Sequence, residues 1–341
     1  MTSPTSTFGA PVMPQVTMVL MCFNQEPYVR EAVLSVLSQD YSPLEIIISD
    51  DASTDSTAVV ARDVVASYAG PHQVQININA SNLGIGKHVN QLFRMAKGEM
   101  VVLCGGDDIS HPTRVSRLVS HWQAQNRLPD AIYCGGRKID ANGKVIGTLN
   151  TEIAEWFNDP CHLIEFKHGR RMLAVGACGA YSRRIMSDFG ELAPDLSIED
   201  IPLLIRAAMR GGVAYVAEPL VDYRINVSVW RDIRRPGDSF EKRQRHRDFY
   251  TLARWRVARQ VLQDALVTRQ AAFIRSALRA FHLHDFVRVT CETQDMSWRS
   301  YFAMALHSGN WRYPLLAGFL DGHPRIHRFL FALKPYVFGN K

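Results

Sequence analysis

The stretch Met100–Ser110, MVVLCGGDDIS, constrains this chain more than any other. Met100 to Cys104 is a short unbroken apolar run of the kind a fully buried strand shows, and Gly105 and Gly106 end it. Asp107 and Asp108 come next, so two carboxylates sit where a buried strand meets solvent. In open α/β sheets the crevice at the carboxyl ends of the strands is where ligands bind. Adjacent carboxylates repel each other unless a cation or hydrogen bonds hold them, and hard oxygen ligands suit Mg²⁺, Mn²⁺ or Ca²⁺. The plain alternative is a solvated turn in which Asp108 or Ser110 helps to cap a helix opening at Pro112.

The flanking sequence places this run in a wound sheet. Val16–Cys22 reads as a first strand, and the turn Asn24–Pro27 opens a helix with Val29, Val33, Val36 and Leu37 on one face. Leu44–Ser49 is a second apolar strand that ends in Asp50 and Asp51. A helix with Val60, Val64 and Tyr68 comes after it, and Val74, Ile76 and Ile78 alternate as a third strand. After the loop Asn82–Gly86, a helix carrying Val89, Leu92, Phe93 and Ala96 is expected to stop at Gly98 in the left-handed conformation. Strand, helix, strand in this order is the unit of a parallel sheet. Beyond it, Asn142-Gly143 marks a hairpin, and the small residues of Met172–Tyr181 suit a strand passing close to a ligand or another backbone. Glu199 and Asp200 open a helix through Met209 that Gly211 and Gly212 close; favourable interaction with the helix dipole is the plain reading of those acids. Val213–Val216 and Val221–Ile225 read as two closing strands.

Composition matters mainly for what it excludes. Of 341 residues, 47% are hydrophobic and 21% charged, which fits a globular chain with a large core, and no apolar run approaches a membrane span. The first residues, MTSPTSTFGAPVMP, lack a positive start and an apolar centre, so a flexible lead-in over 1–14 is expected rather than a signal peptide. Six cysteines without CxxC spacing fit reduced core thiols and a cytoplasmic protein. The domains expected are 15–235 and a helical, Arg-rich 236–341.

Four pieces, in order and spacing, carry a resemblance: VTMVLMCFNQEPYVREAVLSVLSQDYSPLEIIISDDASTDST, NLGIGKHVNQLFRMAKGEMVVLCGGDDIS, IEDIPLLIRAAMRGG and VDYRINVS. Over roughly residues 15–230 the chain resembles the family 2 nucleotide-sugar glycosyltransferases of GT-A fold, such as those that build bacterial cell-surface polysaccharide and O-antigen. The resemblance implies a Rossmann-like, mostly parallel sheet with helices on both faces. It also implies roles. Asp51 matches the acid that accepts a hydrogen bond from the nucleotide base, with Asn24, Lys87, Asp107 and Arg224 counted among the nucleotide-binding residues. Asp107 and Asp108 match the metal motif, with Asp108 the direct ligand to Mn²⁺ or Mg²⁺. Asp200, paired with Glu199, matches the catalytic base, and Tyr223-Arg224-Ile225-Asn226 the closing motif near the diphosphate. Two departures stand out: Gly105 where many relatives carry a further acid, and Asn226 where histidine is common.

The reaction this resemblance implies is an inverting transfer of a sugar from a nucleoside-diphosphate donor, expected to be UDP-linked, to a hydroxyl of a glycan or lipid-linked acceptor. A cation would stabilise the leaving diphosphate, and one carboxylate base without a second placed as nucleophile points to direct displacement. Competing readings are a degenerate sugar-nucleotide-binding module and, from Gly105–Ile109, a GGDEF-like nucleotidyl cyclase, for which nothing upstream fits. A Walker A loop at Gly86-Lys87 fails because His88 comes next. The basic stretch from Arg231 to Arg247 is a solvated face, a phosphate-recognising acceptor site or a patch for anionic lipid. Together with Trp311, Tyr313, Phe319, Phe329 and Phe331 near the end, it favours peripheral attachment to the inner face of a membrane over packing alone. Nucleic acid is not expected, since the basic region has no aromatic stacking pattern.

Overall fold

A computed structural model describes residues 13–149, 159–165, 175–225 and 240–293. They divide into two units, 13–149 with 175–225, and 159–165 with 240–293.

The first unit is a mixed α/β sheet. β1 (Val16–Cys22) leads through Pro27 in the first turn of α1 (Glu26–Leu37) to β2 (Leu44–Asp50), α2 (Thr57–Ala66) and β3 (Gln73–Ile78). α3 (Ile85–Met95) then leads into β4 (Met100–Gly105). β1 pairs in parallel with β2 on one side and β4 on the other. Its Val16, Met18, Val19 and Leu20 are wholly buried, as are Val101, Val102 and Leu103 of β4. Each such side chain contributes about 1.5–3 kcal/mol of transfer free energy, so these strands are the core. β3 lies at one edge, where the exposed Gln73 and Gln75 alternate with the half-buried Val74 and Ile76.

The remaining strands make the sheet a mixed one, some reversed and some running with β1, β2 and β4. β5 (Ile109–Ser110) is only two residues long, and α4 starts at Arg114, two residues after Pro112, and runs to Ala124. β6 (Ala131–Ile139) and β7 (Val145–Leu149) form the expected hairpin, with Gly143 at φ +81° in its turn. In the second unit, α5 covers Pro160–Glu165. Back in the first unit, a 3₁₀ turn at Gly176–Cys178 enters β8 (Gly179–Ser182), and α6 (Arg184–Phe189) and α7 (Asp200–Arg210) come after it. β9 is a single strand, Val213–Arg224, where two were expected. It spans Ala217–Leu220 because its pairing with β6 shifts register beside Gly135 and Gly136, whose missing side chains let the carbonyls of Ala217, Glu218 and Val221 approach. The order is β3-β2-β1-β4-β8-β6-β9-β5, with β7 paired to β6, and β8 runs antiparallel to β4.

Gly98 corrects the sequence reading. α3 ends at Met95, Ala96 is already extended, and Gly98 is not among the residues with positive φ. The glycine is needed for close approach: a Cβ there would lie 2.4 Å from the Thr17 nitrogen and 2.6 Å from the Val16 carbonyl carbon.

In the second unit, α8 (Phe240–Thr268) and α9 (Ala271–Thr293) meet through a turn with Arg269 at φ +57°. Ala253, Ala258, Ala265, Ala277 and Ala280 are buried, and such small residues let two helices approach closely. The indole N–H of Trp255 donates to Asp285 Oδ1 (2.9 Å). Among the described residues no helix is long and apolar enough to cross a membrane. The basic residues Arg231, Arg234 and Arg235, and the aromatic tail from Trp311 onward, lie outside the described residues.

Candidate active site

Because β1, β2 and β4 are parallel, the loops after them emerge at one sheet edge, side by side. β2 ends in Asp50, and Asp51 opens the loop after it. Asp50 accepts hydrogen bonds from the Ser53 N–H and hydroxyl. Asp51 is buried, and its Oδ1 accepts from Asn79 Nδ2 (2.8 Å) and the Leu83 N–H (2.9 Å), while Oδ2 accepts from the Gly84 N–H (3.1 Å). Gly84 can turn its N–H this way because it sits at φ +74° ahead of α3. Asn24 adopts a left-handed conformation after β1 and ties that loop to the next: its N–H donates to Ser53 Oγ (2.8 Å) and its Oδ1 accepts from the Thr54 N–H (2.8 Å). Lys87 is exposed on the first turn of α3.

The loop after β4 is a tight acidic turn. Gln25 Nε2 donates to Asp107 Oδ1 (2.8 Å), joining it to the loop after β1. A Cβ on Gly105 would lie 2.9 Å from Asp108 Oδ2 and 3.1 Å from Asp107 Oδ1, so oxygens of both carboxylates converge over this glycine. Burial, and then the charge of Asp107, push the Asp108 carboxyl well above its ordinary range. Arg224, at the end of β9, holds the turn. Its N–H donates to Asp108 Oδ1 (2.9 Å) and its Nε to the Asp107 carbonyl (2.9 Å). Nη1 donates to the carbonyls of Asp140 and Ala141 (3.0 Å each), Nη2 to Glu31 (2.8 Å), and the guanidinium stacks 4.7 Å from the Tyr28 ring centre. Arg114, wholly buried behind the turn, donates to Ser110 Oγ and the Leu103 carbonyl.

The third acid arrives from α7. β8 runs antiparallel to β4, so the turn Gly176–Cys178 ahead of it lies at the carboxyl end of β4. Asp200 accepts hydrogen bonds from the N–H groups of Gly176 and Ile201, the latter at 2.8 Å. Glu199 is the N-cap residue of α7 but makes no side-chain capping bond, so helix capping does not account for it. A Cβ on Gly176 would meet its carboxylate at 2.9 Å. Burial, then the charge of Glu199, push Asp200 up to about 8, and burial raises Glu199 as well. The Asp108 charge acts on Cys178, two residues from Gly176. Asp51, the Asp107–Asp108 pair and Asp200 thus stand along one edge of one sheet, in three different environments.

Residues 17–189, just over half of the chain, match the family described as glycosyl transferase family 2. The chain belongs to that family. Over 233 residues this family 2 chain is 24% identical to EpsE of Bacillus subtilis (strain 168), a protein named as a glycosyltransferase, across 67% of this chain and 76% of EpsE. In three dimensions it is similar to S. aureus TarS 1–349 in complex with UDP-GlcNAc, with TM-score 0.56, 15% identity, and coverage of 90% of this chain and 92% of that one. It is also similar to the mannosyltransferase PcManGT from Pyrobaculum calidifontis in complex with GDP-Man and Mn²⁺, with TM-score 0.51, 19% identity, and coverage of 92% and 89%. At these identities the likeness is one of fold: the GT-A fold read from the sequence. Gly105–Ile109, read alternatively as cyclase-like, lies inside the matched stretch.

Within this glycosyltransferase the acidic turn has the chemistry for a divalent cation: adjacent carboxylates, hard oxygens and a mutual repulsion that a cation would relieve. Among the described residues no third acid, histidine or cysteine groups with them, so a cation held here would take its other ligands from diphosphate or water. Gln25, Glu31 and Arg114 escaped the sequence reading. Gln25 stands in the polar NQEP loop after β1, and applying the strand-end rule there as well would have flagged it.

Proposed function

We propose that this enzyme transfers a glycosyl group from a nucleoside-diphosphate sugar, UDP-linked by preference, to a hydroxyl of a glycan or lipid-linked acceptor, with inversion. The observation that carries the reading is the row formed by Asp51, the Asp107–Asp108 pair and Asp200 at one sheet edge, each with its own hydrogen-bond partners. Asp51, steadied by three N–H donors, keeps one lone pair of Oδ2 for a ring N–H of the base. Uracil and guanine both offer one, in keeping with the UDP-GlcNAc and GDP-Man of the similar structures. Asp108 and Asp107 would hold a divalent cation, which when bound stabilises the charge gathering on the departing diphosphate. Arg224 spends four of its five donors inside the protein, so it positions the acidic turn.

Asp200 is the base. As the acceptor oxygen forms its bond to the anomeric carbon, the bond from that carbon to the diphosphate oxygen breaks, and the hydroxyl proton passes to the Asp200 carboxylate. A carboxyl ionising near neutral pH is better matched to that proton than an ordinary one. In this reading residues 15–235, apart from α5, which groups with the second unit, form the catalytic domain, with Lys87 and Asn24 at the nucleotide side. Residues 236–341 supply acceptor contacts and peripheral attachment to the inner membrane face.

The test is Asp200→Asn, assayed for nucleotide binding and for hydrolysis or transfer of a UDP-sugar. Turnover is expected to fall by about 10²–10⁴ with nucleotide affinity retained. Turnover at the wild-type rate would remove Asp200 from the mechanism.

A further inference from the structure

A polar chain, buried except at the half-buried Asn77, runs from Asp51 into the core, away from the cleft. Asn79 presents Nδ2 to Asp51 (2.8 Å), and its Oδ1 accepts from Asn77 Nδ2 (2.9 Å). The second hydrogen of that same Asn77 nitrogen goes to Ser49 Oγ (2.9 Å), and Ser49 Oγ meets His88 Nε2 at 2.7 Å. Ser49 is wholly buried, and His88, Asn79 and Asp51 are each under a tenth exposed. His88 lies on the core face of α3, between the buried Gly86 and Val89, where an apolar side chain would fill the space without needing a polar partner.

A buried amide is costly when its partner is lost, and an Asn can turn either its N–H₂ or its oxygen toward a neighbour. Asp51 needs the N–H₂ of Asn79. That orientation holds only while Asn77 donates to Asn79 Oδ1, and Asn77 is fixed in turn by having Ser49 as its second acceptor. His88 anchors the far end. Should the chain be cut, Asn79 loses the donor that pins its Oδ1, its amide can shift relative to Asp51, and the lone pair that faces the cleft moves with it. Burial pushes the His88 imidazole down, against the upward pull of the Asp51 and Asp50 charges, and so disfavours its charged form.

We propose that His88 is a positioning residue for base selection: through Ser49, Asn77 and Asn79 it fixes which lone pair Asp51 offers to the nucleobase. This rests on the reading of Asp51 as the base-facing acid. The ligand class it favours is a nucleoside diphosphate with a ring N–H, as in uracil or guanine. Cytosine, which places a bare ring nitrogen there, would face a carboxylate with no proton between them.

The experiment is calorimetric titration of UDP, GDP and CDP, each with Mn²⁺, into the full chain and its Ser49→Ala, His88→Leu and His88→Gln variants. In the wild type, UDP or GDP binds more tightly than CDP. Ser49→Ala and His88→Leu weaken the favoured nucleotide by about 3–10-fold and leave CDP unchanged, so selectivity narrows. His88→Gln, which keeps a hydrogen-bonding group near the Nε2 position, recovers selectivity to within about twofold. Ser49→Ala removes one oxygen only and decides the matter if His88→Leu does not fold. Wild-type selectivity in a folded Ser49→Ala, or equal weakening of all three nucleotides, would overturn the role of His88. A wild type that does not distinguish the three would instead overturn the reading of Asp51.

Discussion

Asp200 sits in a desolvated pocket beside Glu199, and that placement has consequences for both rate and stability. The carboxyl ionises near its ordinary 3.8 in the unfolded chain and near 8 when folded, so the native state binds this proton more tightly. Its stabilising share is therefore complete at low pH and is lost as pH rises from about 4 towards 8. Asp200→Asn removes that loss, and its melting temperature at pH 8 should exceed the wild type's by about 2–6 °C in scanning calorimetry. As the proposed base, Asp200 would work only when ionised, so kcat/KM should rise with pH to a midpoint near 8. Glu199→Gln removes the neighbouring charge and should move that midpoint down by about one pH unit; an unmoved midpoint would separate Glu199 from the base. The positions of Asp51, Asp107 and Asp108 at strand ends are legible in the sequence, because apolar runs announce where strands stop. The inward turn of Arg224 is not. Its partners Glu31, Asp107, Asp140 and Ala141 come from three separate stretches that only the folded sheet brings together.

At the scale of elements, the apolar runs locate β1, β2 and β4 closely, since burial on both faces leaves a continuous signal. Where local pattern gives way to tertiary pairing, the reading fails. β5 is two residues long and exists only because β9 lies beside it, and β9 continues through a break in hydrophobicity because β6 shifts register to meet it. Gly98 fits a helix stop by sequence, but its physical reason is the backbone of β1 pressed against it. Gly98→Ala should therefore destabilise the chain by about 2–4 kcal/mol, read as a lower urea midpoint at unchanged slope. Were Gly98 a left-handed cap with open space around it, the loss would be closer to about 1 kcal/mol.

For the whole molecule, the catalytic chemistry is assigned to the first unit, and the proposed membrane contact to the last residues of the chain. Liposomes with anionic lipid should float the full chain, and removal of residues 310–341 should reduce the floated fraction by at least about half. Equal flotation of both forms would take the tail out of membrane attachment while leaving the donor site untouched. The most direct measurement is a titration of UDP and GDP into the wild type, Asp108→Ala and Asp200→Asn, each with Mn²⁺ and again with chelator. A shared site at one sheet edge predicts Mn²⁺-dependent binding in the wild type, its loss in Asp108→Ala and its survival in a turnover-deficient Asp200→Asn. Binding that is the same in chelator and in Asp108→Ala, or full turnover by Asp200→Asn, would contradict it.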